Sequence, residues 1–507
     1  MSLDAAFLIA RSGLRHVDRQ LARSANDIAN ASVEGHSRTS LAGRALEARG
    51  AGMGVRTGIV TRDVDLALGS AVDRARSAEA AAALTGRLLA GVEAAHGDPE
   101  ADQSLAGRLA GLRAGFIAAH EAPGDINRRM AVLAEAEGFV TQSNAVADAV
   151  LGARQQAHDA LVQEVAGLNA DLNEIARLST EVVREQATGR STATLEDRRD
   201  MLIGRIADRL EVTVLRASSG AVTLVARGGM VLPLAEEGAA LAVSPATLGP
   251  GSHPAAGLPG VLLAGQDVTA RLGGGRIGAA VALRDTTLPR MQAEIDMLAA
   301  EVASRFAGQG LRLFTDAAGA VPDVTLPYDT GGQLGFARSM RVNPDIVATP
   351  RLLRDGTDAV AGLPGGPTAF TPNPAGGPAG FDTMLLRVLD HVFTDIQAPG
   401  LPHAEIAASG LGPDGGLTSA LTGFRAIESY AAALIGEQSA AKRAADGAQE
   451  QAAQLREVLS GRVAERSGVD PDAEMATMVE LQNAYATNAR VMAAVQSMWD
   501  ALLGAVR

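Results

Sequence analysis

Near the N-terminus, Leu3, Phe7, Ala10, Leu14, Val17, Leu21, Ser24 and Ile28 follow one another at alternating spacings of four and three. A sustained seam of this kind predicts a helix packed along a partner helix. Arg11, Arg15, Arg19 and Arg23 recur every four positions and drift onto the opposite face. They read as a solvated face or as a contact with an acidic neighbour.

The C-terminal end mirrors this pattern. From Met478 the seam runs through Leu481, Tyr485, Asn488, Met492, Val495, Trp499 and Leu502. Met475, Gln482, Ala489, Gln496 and Leu503 make a second, more polar seam beside it, which implies more than one packing partner. Asp470-Pro471-Asp472 supplies a capping Asp and a Pro at the first helical position.

Between the ends, periodicity predicts helices over about 68–96, 100–120, 125–188 and 195–210. LEVTVLRASSGAVTLVARGGMVLPL reads as two or three strands with Ser-Gly and Gly-Gly turns. Gly/Pro-rich loops fill 244–267, helix resumes over 285–307, 311–420 is irregular, and helix returns over 420–466. The expected fold is mainly α with inserted β-rich parts, an α+β multidomain chain whose terminal helices pair like a coiled coil. Its expected divisions are a terminal helix and joint (1–60), a helical domain in three parts (61–210, 268–315 and 421–466), a β-rich excursion (211–267), a small β-rich or loop-rich outer module (316–420) and a C-terminal helix (467–507).

An isolated helix of this length is marginal in water. Each large seam residue contributes roughly 1.5–3 kcal/mol when fully buried. One pair of seams leaves the second C-terminal seam wet, so the terminal arms are expected to order against neighbouring copies. That describes an assembly subunit.

Composition narrows the function. A net charge of −13 argues against a general nucleic-acid surface. The absence of cysteine removes disulfides, thiolate metal sites and Cys nucleophiles. Asp4 and Arg11 interrupt the N-terminal apolar run, so no cleaved signal peptide is expected, and no uncharged run reaches the length of a membrane span.

Candidate chemistry is thin. Asp27, His36 and Ser37 in NDIANASVEGHSR are triad residue types, but the Ser lacks a nucleophile elbow. The stretch reads instead as a helix end, with Ile28 closing the seam, Asn30 able to take a left-handed conformation and Gly35 redirecting the chain. Gly273–Gly278 matches the dinucleotide-binding pattern G-x-G-x-x-G without a preceding buried strand, which leaves a nucleotide-binding enzyme as a distant alternative to a flexible joint. Glu196, Asp197 and Asp200 read as first-turn acids neutralised by Arg198 and Arg199, with Thr194 and Asp197 at capping-box spacing. The eight histidines show no metal-ligand spacing. No catalytic residue, cofactor or metal is expected.

Five stretches together resemble the flagellar hook-associated protein 1 family, within the bacterial flagellar axial proteins. They are the N-terminal seam with SANDIANASVEGHSR, then GMGVRTGIVTRDVDLAL, LEDRRDMLIGRIADRLEVTV, RLGGGRIGAAVALRDTTLPRMQAEIDMLAAEVASRF and MATMVELQNAYATNARVMAAVQSMWDALL. The two ends resemble axial proteins generally, so hook protein or the second junction protein is the nearest alternative. His36 stands where the family carries an aromatic, and Arg198 where it carries Gln.

The resemblance implies a non-enzymatic extracellular component of the hook–filament junction, exported through the flagellar type III apparatus. Its implied partners are further copies of itself, hook protein, the second junction protein and an export chaperone, with neither nucleic acid nor membrane insertion. Leu3, Phe7, Leu14, Val17, Leu21, Ile28, Met478, Leu481, Tyr485, Met492, Val495, Trp499 and Leu502 are the expected subunit interface. Asn26, Asn30, Gly35, Ser37 and Arg38 are the expected inter-domain joint.

Overall fold

The computed structural model describes residues 3–48, 51–97, 103–362 and 366–505. Helix α1 (Leu3–Ala29) leads into a hairpin of β1 (Thr39–Ala48) and β2 (Ala51–Arg62). Four helices follow: α2 (Leu66–Ala95), α3 (Leu105–Glu121), α4 (Ile126–Ala187) and α5 (Ala193–Arg209). Three of their starts are fixed by side-chain caps. Asp65 accepts from the amides of Ala67 and Leu68, Ser104 from Gly107, and Asp125 from Asn127. Residues 100–102, predicted to open a helix, lie outside the described residues.

The β excursion is an antiparallel pair of β3 (Val212–Arg216) and β4 (Val222–Ala226), then a three-stranded sheet of β5 (Leu241–Ala242), β6 (Leu262–Leu263) and β7 (Gln266–Asp267). The next helix begins ten residues earlier than the predicted 285. Helix α6 (Gly275–Ala282) continues through a π turn (Leu283–Thr287) into α7 (Leu288–Gly308). Pro289 explains the turn. In the widened register the Leu288 amide reaches the Leu283 carbonyl, but Pro289 has no N–H for the carbonyl of Arg284. Arg154 of α4 supplies that donor, its Nε reaching the Arg284 carbonyl at 2.8 Å.

The stretch expected to be an outer β-rich module carries short helices as well as two- and three-residue strands. These are β8 (Phe314–Thr315), α8 (Phe336–Ser339), β9 (Arg341–Val342), α9 (Pro344–Ala348), α10 (Leu352–Asp355), α11 (Thr383–His391), β10 (Ile396–Ala398), β11 (Leu401–Pro402), β12 (Ser409–Leu411) and β13 (Leu417–Thr418). It does not stand apart. Phe314 and Phe393 join Phe116, Phe139 and Phe306 in edge-on and tilted ring contacts 5.6–6.3 Å between centroids. Five of the chain's ten phenylalanines therefore sit where α3, α4 and α7 meet this stretch. Two long helices close the chain: α12 (Ile427–Ser467), packed along α2, and α13 (Pro471–Ala505), packed along α1. The whole is mainly α with inserted β parts.

Candidate functional site at the terminal joint

Helix α13 lies antiparallel to α1. Ser24 and Arg23 meet Glu474, while Gly13 faces Asn488, where an added Cβ would sit 3.3 Å from its Oδ1. Along this contact Val17 and Val495 are buried. Leu3, Phe7, Leu14, Leu21, Ile28, Met478, Leu481, Met492 and Trp499 are half-buried, whereas Tyr485 and Leu502 are exposed. Most of the predicted interface residues therefore line a contact within one chain.

The hairpin lies on α1 as well. Ser12 Oγ accepts from the Val55 amide at 2.9 Å, and Thr57 Oγ1 pairs with His16 Nδ1 at 3.3 Å. Gly54 makes the approach possible: its φ is +110, and a Cβ there would meet Ser12 Oγ at 2.2 Å. A lone hairpin is marginal in water, so this support from α1 matters.

At the base of the hairpin, four parts of the chain converge. Asp27, fully buried, accepts from the Thr39 amide at 3.1 Å and hydroxyl at 2.9 Å, and from Arg23 at 3.2 Å. Arg23 also donates to the Thr39 carbonyl at 2.5 Å and to Glu474 at 2.8 Å. Ser24 Oγ donates to Glu474 at 2.5 Å.

His36 lies between Asp27, at 3.2 Å, and Asp197 of α5, at 3.7 Å. Ser37 donates its hydroxyl to Asp197 at 2.6 Å. The Arg38 amide donates to the Ser467 carbonyl at 2.8 Å, where α12 ends, and the Arg38 side chain pairs with Asp63.

Arg62 completes the joint. Its guanidinium bridges Glu196 at 3.0 Å and both Asp197 and Asp200 at 2.9 Å. Burial works against its charge, but Asp200 and Asp197 outweigh that and hold its pKa above the ordinary arginine value. A cleft of about 1200 Å³ opens beside the joint, with Gly35, His36, Met201, Asp73 and Val463 on its wall. Burial pushes the Asp73 carboxyl up to about 6.

Several sequence expectations change here. The helix runs one residue past Ile28, and Asn30 is not left-handed: its backbone amide donates to the Asn26 carbonyl at 3.1 Å and its side-chain amide to the same oxygen at 2.8 Å. Asn26 is otherwise exposed, and Gly35, at φ +80 against Met201, makes the reversal.

The triad does not assemble, because the Ser37 proton goes to Asp197 while His36 faces two carboxylates. Thr194 forms no capping box: Thr192 precedes α5 and donates to Glu196 at 2.7 Å. Arg198 and Arg199 do not neutralise the α5 acids either, since Arg198 pairs with Glu174 and Arg199 donates to the Gly220 carbonyl.

Gly273–Gly278 has no βαβ unit around it. Gly275 instead lets α6 approach the end of α5, where a Cβ would meet the Arg209 and Leu210 backbone at 2.4–2.5 Å. This is tight packing, not a flexible joint. No group of three or more potential metal ligands occurs among the described residues. Among them, no helix is long and apolar enough to cross a membrane.

Sequence reading missed Arg62, Glu474 and the hairpin. The alternation in GVRTGIVTR was a usable strand signal, whereas the ion-pair partners lie 135 and 451 residues apart.

Residues 90–317 match the family model of the flagellar hook-associated protein FlgK helical domain. Residues 459–505 match that of the flagellar basal body rod FlgEFG protein C-terminal. The hook junction protein FlgK from Burkholderia pseudomallei is similar at 21% identity with a TM-score of 0.41, over 50% of this chain and 45% of that one. Comparison with curated proteins finds no match.

Proposed function

Since the chain is a FlgK-like flagellar hook-associated protein with a structural role in the flagellum, we propose that it joins hook to filament as a ring of subunits packed through their terminal helices. The observation that carries this reading is the pairing of α1 with α13, which leaves a second apolar face of α13 uncovered. Met475 and Leu503 of the second seam are exposed with Val479 beside them, and Tyr485 and Leu502 stand exposed at the edge of the first seam. A helix that presents apolar residues on two sides serves two partners. One is α1 of the same chain; the other is a neighbouring copy.

On this reading the chain meets hook protein on one side and the second junction protein on the other. An export chaperone covers α13 before assembly. The seam residues Leu3, Phe7, Leu14, Val17, Leu21, Ile28, Met478, Leu481, Met492, Val495 and Trp499 shape the terminal pair, and Tyr485 and Leu502 face the neighbour. Asn26, Asn30, Gly35, Ser37 and Arg38 hold the joint in position. The arrangement offers an interlocked polar bridge and no reacting group in the place of the supposed triad.

Deletion of the gene followed by electron microscopy tests the reading. Hooks without filaments, with flagellin in the medium, support it. Missing hooks would assign the chain to the hook or rod.

A further inference from the structure

Three arginines converge where α5, the end of β2 and the β3–β4 turn meet. A pocket of about 260 Å³ opens there, walled by Arg62, Arg199 and Arg216 with Glu196 as the one acid among its described lining residues. Asp197 and Asp200, which pair with Arg62, are not on this wall.

Arg199 is only 2% exposed. Its Nη1 donates to the Gly220 carbonyl at 2.7 Å, but its Nε has no hydrogen-bond partner among the described residues. The same is true of Nη1 of Arg216, whose Nη2 donates to Asp200 at 2.8 Å. A guanidinium keeps its proton, so a buried one is stable only where acceptors meet its N–H groups.

The nearby carboxylates are already engaged. Asp200 is shared between Arg62 and Arg216, and Glu196 between Arg62 and the Thr192 hydroxyl. Neither forms a hydrogen bond with Arg199 among the described residues. Burial lowers the Arg199 pKa from the ordinary arginine value, and Arg216 and Arg62 act in the same direction against Asp200 and Glu196.

The chemistry that fits is an oxyanion, whose oxygens accept from the planar arginine fork in charge-assisted pairs. The volume lies below the roughly 300–1,000 Å³ of sites for drug-sized ligands. It therefore suits a small inorganic anion and not a nucleotide.

We propose that this pocket binds a doubly charged oxyanion, sulfate or inorganic phosphate, through the free N–H groups of Arg199 and Arg216. Arg199 and Gln186 already hold the β3–β4 turn through the Gly220 and Ser218 carbonyls. The anion fastens that turn to the base of the first hairpin at Arg62. The site is independent of how copies of the chain assemble.

The test titrates the purified full-length chain with sodium sulfate and, separately, sodium phosphate by calorimetry, in sodium chloride at constant ionic strength. Saturable binding at one site, with a Kd of about 1 mM or below, is expected. R199Q should abolish it and R216Q should weaken it about tenfold. E196Q, which removes the opposing charge from the wall, should tighten it. Sulfate should also slow hydrogen exchange over residues 212–226 in the parent and not in R216Q. The Arg216 side chain is 25% exposed, so R216Q keeps the test readable where R199Q fails to fold. No saturable binding of either anion by the parent, or binding by R216Q equal to the parent's, overturns the site.

Discussion

Arg23 donates to Glu474 at 2.8 Å and so ties together residues 451 apart in sequence. Both side chains are largely out of water, and Ser24 donates to the same carboxylate. The first helix and the last are thus locked at the end nearest the joint, while their far ends meet through half-buried apolar contacts.

Replacing Glu474 with Gln removes the charge and leaves Arg23 only Asp27 as an ionic partner. The terminal pair should lose about 1.5–3 kcal/mol, the usual worth of a hydrogen bond to a charged group. Faster hydrogen exchange over residues 478–499, with unchanged exchange in α4, is the expected result. Uniform protection in both would show that the lock is not what holds the pair.

Arg62 meets three carboxylates of α5 in a largely buried position. Removing one partner of such a network costs about 3–5 kcal/mol, because the remaining charges stay buried without compensation. R62Q should release the hairpin from α5, seen as protease cleavage between residues 39 and 62 that is absent from the parent chain. R62K keeps the charge but loses the planar fork and should fall between them.

The long helices of the middle were legible from periodicity because each buries a broad apolar face. The predicted 68–96, 125–188 and 195–210 stand close to Leu66–Ala95, Ile126–Ala187 and Ala193–Arg209. The joint was only half legible. Gly35 announced a sharp turn and Ser37 was expected in the joint, but their meaning depends on Met201 and Asp197, which no local pattern connects to them. Pro289 would ordinarily break a helix, whereas Arg154 makes a continuous π-turned helix possible from far away in sequence.

Gly54 should tolerate no side chain. G54A puts a methyl against Ser12 Oγ at a φ of +110 that alanine rarely adopts. Loss of the Val55–Ser12 hydrogen bond should appear as rapid exchange of the Val55 amide. An unchanged amide would mean that the hairpin does not depend on this approach.

Two buried groups give stability opposite pH slopes. Asp296, which accepts from Tyr328 at 2.7 Å and from the amides of Gly335 and Ala337 at 2.8 and 2.9 Å, is pushed up to about 6 by burial. Against an unfolded value of about 3.9, the folded chain holds the extra proton. This group's contribution therefore grows as pH falls through that window and is lost as pH rises toward 6.

His403 is pushed down to about 4 by burial. Its contribution is complete above about 6.5 and is lost as pH falls toward 4. D296N should therefore steepen the loss of stability on acidification, compared with the parent by urea unfolding at several pH values. Parallel profiles would mean that Asp296 stays ionised throughout.

The central claim is that the terminal pair of α1 and α13 carries assembly while the middle of the chain folds without it. The most direct test removes residues 473–507 and returns the shortened chain to the deletion strain, with its secretion and its circular dichroism measured alongside electron microscopy. The account predicts a secreted, helical protein, bare hooks and flagellin free in the medium. Filaments attached to hooks by the shortened protein would contradict it.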